Sequence, residues 1–195
     1  MENLMIQSIR SVVDLPEEQE QKLLSICKPQ SLSKGAFFIR EGQVPRKFAF
    51  INKGLFRYFY VDDKGNEFSK GFFPEGSFLS SYSAMIQETP SHFTIEALED
   101  AEILVIDYDA WNDLRSQHQC WIEFLLFMME QAFFIKETRE REFLIYDAEK
   151  RYLLFLERYP GLDQRIRQHL IASYLGITSV ALSRIRRKMG VVNLG

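Results

Sequence analysis

A chain of 195 residues suits one large domain or two small ones, and with 17 Phe and almost half its residues hydrophobic it can bury a sizeable core. The formal net charge of -3 excludes a protein drawn to nucleic acid by bulk charge. That charge is uneven, however. Between Asp163 and Gly190 six cations (Arg165, Arg167, Arg184, Arg186, Arg187 and Lys188) face Asp163 alone, giving +5 locally and -8 elsewhere. A basic end on an acidic body fits a small module that meets phosphate.

The first thirty residues read as helices interrupted at Leu15-Pro16, with Glu17, Glu18 and Glu20 suiting a helix start. Acidic residues and the lack of a long apolar core argue against a signal peptide here. The longest apolar run, Phe124 to Met129, is too short to cross a bilayer. A soluble cytoplasmic protein with no membrane partner is therefore expected. Cys27 and Cys120 lie far apart in apolar surroundings and read as two buried thiols.

From about Leu32 to Tyr108 the pattern turns β-like. Phe48–Ile51, Leu55–Val61, Phe93–Leu98 and Ile103–Ile106 are rich in aromatic and β-branched residues. Turn signals separate them, among them Asn52-Lys53-Gly54, Asp63-Lys64-Gly65-Asn66 and Pro74-Glu75-Gly76. Many short strands at regular spacing suggest a small barrel or roll. From about His118 to Tyr146 neither Gly nor Pro occurs, and Trp121, Ile122, Leu125, Met128, Met129, Ala132, Phe133 and Ile135 spread widely round a helix. So wide an apolar face exceeds what packing on one roll needs, and predicts a helix that also pairs with its symmetry mate. A helical segment, Ala148–Tyr159, follows, broken by Pro160-Gly161, and two more helices complete the chain.

Those last two carry the functional signal. In QHLIASYLGITSVALSRIRRK, Gln168 to Lys188, Ile171, Leu175 and Ile177 face inward from a first helix and turn, and Leu182 and Ile185 from a second. Ala172 is small where the helices cross, and Gly176 takes the turn, where a positive φ costs glycine little. Thr178 is placed to cap the second helix. Its outward residues are Ser179, Val180, Ser183, Arg184 and Arg187. The short ones lie at or near the N-terminal end, which in a helix-turn-helix enters the major groove. Arg184 is long enough to reach a guanine edge or a phosphate, whereas Arg187 and Lys188 should mainly meet phosphate.

Along nearly its whole length the chain resembles the CRP/FNR family of bacterial transcription regulators. Ile51-Asn52-Lys53-Gly54-Leu55-Phe56-Arg57 through Asp63-Lys64-Gly65 resembles the family's strand–Gly–strand–turn passage. Phe73-Pro74-Glu75-Gly76-Ser77-Phe78 resembles the approach to its phosphate-binding cassette. Ile171 to Ile177 and Leu182-Ser183-Arg184-Ile185 resemble its DNA-reading helices. The resemblance implies an α+β chain: a jelly-roll-like, cyclic-nucleotide-binding-type β-roll with flanking helices over 1–115, a dimerisation helix over 116–146 and a helix-turn-helix domain over 147–195. Its implied partners are double-stranded DNA, a second copy of the chain held through the 118–146 helix, and RNA polymerase.

Departures from the family pattern narrow the effector. Members that bind cyclic AMP supply a Gly-Glu pair and, beyond it, an Arg-Ser or Arg-Thr pair. Here the matching places read Ser80-Ser81 and Ser91-His92. Between Arg57 and Arg115 there is no arginine, and Lys64 and Lys70 are the only full cations. A buried cyclic phosphate would lack its charge-assisted partner, so no control by cyclic AMP is expected. Two cysteines are too few for a four-cysteine iron–sulfur cluster, and His92 or His118 as a haem ligand is less expected than a structural histidine. No cofactor is expected. Either a different small molecule is held among Ser80, Ser81, Tyr82, Ser91 and His92, or the roll is a scaffold. After the recognition helix only Val191-Val192-Asn193-Leu194-Gly195 remain, too few for the β-hairpin wing of many relatives. Arg165 and Arg167 are then the candidates to make up the phosphate contact.

Two other classes are weighed against this reading. An enzyme is disfavoured, because His92, His118 and His169 fall in different modules and no nucleophile-elbow, P-loop or paired-cysteine motif occurs. A small-molecule- or partner-binding module that has lost DNA binding is the alternative.

Overall fold

A computed structural model describes residues Asn3–Gly190, and the expectation about Val191 to Gly195 lies outside them. Asn3 accepts the Met5 amide and opens α1 (Leu4–Arg10), while Pro16 precedes α2 (Glu17–Ile26), whose first turn carries Glu17, Glu18 and Glu20. These carboxylates complement the positive end of the helix dipole.

Eight strands follow: β1 (Cys27–Leu32), β2 (Phe37–Ile39), β3 (Lys47–Lys53), β4 (Phe56–Val61), β5 (Glu67–Phe73), β6 (Phe78–Leu79), β7 (Thr94–Ala97) and β8 (Ala101–Asp107). They form two antiparallel four-stranded sheets, ordered β1-β8-β3-β6 and β2-β7-β4-β5. The core between them holds Phe38, Ile51, Phe56, Tyr58, Ile95 and Ile103. Helix α3 (Tyr82–Gln87) sits between β6 and β7. Gly54, in the β3–β4 turn, has φ +108°, and a Cβ there would stand 2.7 Å from that of Ala101, so only glycine permits this approach.

The four strand-like runs appear as β3, β4, β7 and β8, with ends moved by up to a few residues. Strands β1, β2, β5 and β6 lie outside those four runs. Pro29 lies within β1, which is tolerated because β1 is an edge strand. Strand β5 contains Gly71 beside a bulge: Tyr58 pairs with Gly71 and Phe59 with Ser69, leaving Lys70 as the extra residue.

The remaining helices are α4 (Tyr108–Arg115), α5 (Gln119–Ile145), α6 (Ala148–Arg158), α7 (Leu162–Arg165), α8 (Gln168–Leu175) and α9 (Ser179–Lys188). The short α7, opened by Gly161, is one helix more than the two expected after Pro160-Gly161. The start of α5 packs with the N-terminal helices, α4 and β3 through Met5, Ile9, Leu23, Phe50, Trp111, Trp121 and Phe124. Within this core Trp121 donates its indole N–H to buried Gln19 at 2.9 Å. Cys120 is buried as expected, Cys27 is only half-buried, and both are free thiols.

A third core joins the C-terminal helices to the roll. Leu55 and Phe72 pack with Tyr152, Phe155, Leu162, Ile171, Tyr174 and Leu182. The Phe72 ring lies 6.2 Å from Phe155 and 5.5 Å from Tyr174, centroid to centroid. Truncating so central a ring removes its burial energy and leaves a cavity. Phe72→Ala should cost about 3–5 kcal/mol in denaturant unfolding followed by circular dichroism. A cost under about 1 kcal/mol would show that the roll and the terminal helices do not depend on it.

Candidate nucleic-acid interface

Helix α8 ends on Gly176, at φ +68° and ψ +34°, the left-handed conformation. The Gly176 amide donates to the Ser173 carbonyl at 3.1 Å and the Ile177 amide to the Ala172 carbonyl at 3.0 Å. This is the paired closure of a Schellman motif, which satisfies carbonyls that the helix end leaves open. Thr178 then begins α9 by accepting the Ala181 amide on its hydroxyl at 3.1 Å. Ile171, Ala172, Leu175 and Leu182 are buried and Ile177 and Ile185 partly so, which fixes the crossing of the two helices as the residue pattern predicts.

The outer face of α9 also follows that pattern. Thr178, Ser179, Val180, Arg184, Arg187 and Lys188 are exposed and Ser183 is half-buried. Val180 is 62% exposed, an apolar side chain set among polar neighbours at the N-terminal end of α9. Lys188 is not free: its ammonium lies 2.6 Å from a Glu149 carboxylate oxygen on α6, and that hydrogen bond and charge hold its pKa above the usual lysine value. An exposed pair of this kind contributes little and a phosphate can displace it. No carboxylate pairs with Arg184 or Arg187 among the described residues.

Arg165 departs from expectation. Its guanidinium spans Glu75 and Glu99 of the roll, with contacts of 2.6–3.1 Å. It therefore seats the terminal helices on the roll, and a phosphate would compete with two carboxylates for it. Ser173 on α8 acts similarly: its hydroxyl accepts the Ser69 amide at 2.9 Å and donates to the Glu67 carbonyl at 3.0 Å. Sequence reading missed both roles, because the partners lie 66–106 residues away and leave no local signal.

The five candidate effector residues are not all brought together. Ser81 and Ser91 are buried and hydrogen-bonded through their hydroxyls at 2.9 Å. Ser91 donates onward to the Phe93 carbonyl at 2.8 Å. The Ser80 amide donates to the Tyr58 hydroxyl at 2.7 Å, so a backbone donor at the start of the cassette is already used. Tyr58 stacks on Phe73 and Phe93, with centroids at 4.0 and 5.1 Å, and these rings occupy the interior. Tyr82 instead packs against the Trp111 core and His92 is exposed, so neither joins the three serines. Arg57 lies outside the cassette, buried and paired with Glu67 at 2.7 Å and Glu96 at 2.6 Å. Among the described residues no group of three or more His, Cys, Asp or Glu side chains could hold a metal ion. Nor is any helix there long and apolar enough to cross a membrane.

Replacing Gly176 by alanine forces a side chain into the left-handed region and puts its Cβ 3.0 Å from the Phe143 ring. The conformational term alone is about 1–2 kcal/mol. Gly176→Ala should lose at least that much in denaturant unfolding. An unchanged midpoint would mean that the turn relaxes to another conformation.

Comparison with known proteins bears on both halves of the chain. Residues 29–118 match the cyclic nucleotide-binding domain family. No match is found among curated protein sequences. Among solved structures, the c-di-GMP-responsive global regulator CLP of Xanthomonas campestris is similar at TM-score 0.73 and 12% identity, over 90% of this chain and 92% of that one. A putative CRP/FNR-family transcriptional regulator of Eubacterium rectale is similar at TM-score 0.72 and 18% identity, over 93% and 88%. FixK2 of Bradyrhizobium japonicum is similar at TM-score 0.72 and 18% identity, over 87% and 89%. The chain thus carries a cyclic nucleotide-binding-type roll within the overall fold of the CRP/FNR transcription regulators.

Proposed function

We propose that the protein is a sequence-specific DNA-binding transcription regulator that works as a homodimer and is not controlled by cyclic AMP. The observation that carries this reading is α9: a capped helix whose inner face is fixed by Leu182 and whose outer face presents Ser179, Val180, Arg184 and Arg187 without carboxylate partners. Short residues at the N-terminal end let the helix approach base edges. Arg184 is positioned one turn further on to read a guanine or grip a phosphate, with Arg187 on the backbone. Thr178, Ser183 and Lys188 complete the surface.

Dimerisation is supported by α5, 27 residues and about 40 Å long, which buries only Cys120, Trp121, Phe124 and Glu142. Leu126 is 58% exposed, Phe133 62% and Ile135 57%, a run of apolar surface that a second copy would cover. A two-fold dimer reads two half-sites about one helical turn apart.

Selection of genomic fragments on ligand-free protein tests the reading. A shared two-fold motif is expected for the native chain, and its loss for the Arg184→Ala/Arg187→Ala variant. Arg184→Ala alone should cost on the order of 1–3 kcal/mol and relax specificity, whereas Arg187→Ala should weaken all sequences alike. Recovery of no motif by the native chain would favour the alternative, a partner- or ligand-binding module that has given up DNA. The Lys188–Glu149 pair and the seating of the terminal helices by Arg165 are the observations on that side.

Cyclic AMP is a second test. With Tyr58, Phe73 and Phe93 stacked in the interior and no arginine at the cassette, calorimetry should detect no binding. A micromolar dissociation constant would overturn the assignment.

A further inference from the structure

We infer that the outer strand β2 and the loop leading from it to Lys47 form a docking groove for an acidic, extended segment of a partner protein, whose carboxylates meet Arg40 and Lys47. This goes beyond the DNA reading and does not depend on it.

The first observation is the groove itself. Its volume is about 640 Å³, and Phe37, Arg40, Val44, Pro45, Lys47 and Asp107 are among the residues that line it. Strand β2 is the outer strand of its sheet and pairs with β7 alone. An outer strand presents backbone N–H and C=O groups that an added strand can take up. The loop that follows β2 is held in place: the Gly42 amide donates to the Ser91 carbonyl and the Ser91 amide to the Gln43 carbonyl, both at 2.8 Å. Arg46 braces it further by pairing with Glu88 and Asp109. A loop so fixed loses little freedom when a peptide enters.

The second observation is charge. Arg40 and Lys47 pair with no carboxylate among the described residues. Each rests on a ring of β2: the Arg40 guanidinium lies 4.1 Å from the Phe37 centroid and the Lys47 ammonium 4.9 Å from that of Phe38. The Asp107 carboxylate is engaged elsewhere, capping α4 by accepting the Asp109 and Ala110 amides. Val44, 48% exposed, and half-buried Phe37 add apolar surface beside the cations. Cations along an outer strand repel a second copy of that strand and favour one of opposite charge.

The third is the groove's place in the fold. Lys47 faces Asp107 across the β3–β8 pair, at the opposite end from Lys53 and Glu102. Arg165 seats the terminal helices at that other end, through Glu99 and through Glu75, which also accepts the Gly54 amide. The seven residues of β3 put the groove about 20 Å along the roll from this seat. Nucleic acid has no amides with which to extend a sheet, so the outer strand and the cations together match an acidic peptide.

Fluorescence anisotropy of the full chain, without DNA, with short labelled peptides tests the groove. A peptide of alternating Glu and Val should bind saturably, and its Gln–Val counterpart on the order of tenfold more weakly or not at all. A Glu–Pro counterpart keeps the charges but loses half of the backbone N–H groups, and should also bind more weakly. Arg40→Gln, at an exposed position, and Lys47→Gln should each weaken the Glu–Val peptide on the order of tenfold. Lys53→Gln, an exposed cation at the other end of β3, should leave its affinity unchanged. Absence of Glu–Val binding, equal binding of either counterpart, unchanged affinity in Arg40→Gln and Lys47→Gln, or the same loss from Lys53→Gln would overturn the inference. Displacement of the bound peptide by excess duplex DNA would do so as well, by assigning the groove to nucleic acid.

Discussion

Phe72 reaches out of the roll into the core of the C-terminal helices, where Tyr152, Phe155 and Tyr174 surround it. The disposition of the molecule depends on this shared burial, because neither side closes its apolar surface without the other. Helices α6, α8 and α9 are short, and isolated helices of their length are marginal in water. Burial of their inner faces against one another and against Leu55 and Phe72 makes them a fixed platform. The position of α9 relative to the roll is thereby set by packing, not by the connecting chain alone.

Polar contacts around that core give it register. Ser173 bonds to the edge strand β5 on both sides of its hydroxyl, which uses backbone groups that an edge would otherwise leave open. Arg165 bridges two separate turns of the roll through Glu75 and Glu99. Arg158 joins α6 to Glu142 on α5 and to the Tyr174 hydroxyl on α8. The C-terminal helices, the long helix and β5 are thus mechanically continuous.

The roll shows a related economy at the cassette. Ser81 and Ser91 are bonded to each other there, and the Ser80 amide donates to the Tyr58 hydroxyl. These neutral links leave the hydroxyl of Ser80, which is buried, without a hydrogen-bond partner.

Much of this was legible in order along the chain. The helix-turn-helix was readable because its determinants are local: a left-handed Gly176, a capping Thr178 and inward residues at helical spacing act over a few residues. The same holds for β3, β4, β7 and β8, whose aromatic and β-branched residues carry the signal themselves. Strands β1 and β5 escaped because Pro29 and the Lys70–Gly71 bulge contradict strand propensity locally, and pairing with β8 and β4 overrides it. Tertiary structure alone decided that Tyr82 and His92 stand apart from the three serines, that Arg165 serves the roll, that Lys188 meets Glu149, and that Arg57 pairs with Glu96. The physical reason is common to all four: hydrogen bonds, ion pairs and burial depend on distance in space, and their partners lie tens of residues away in sequence.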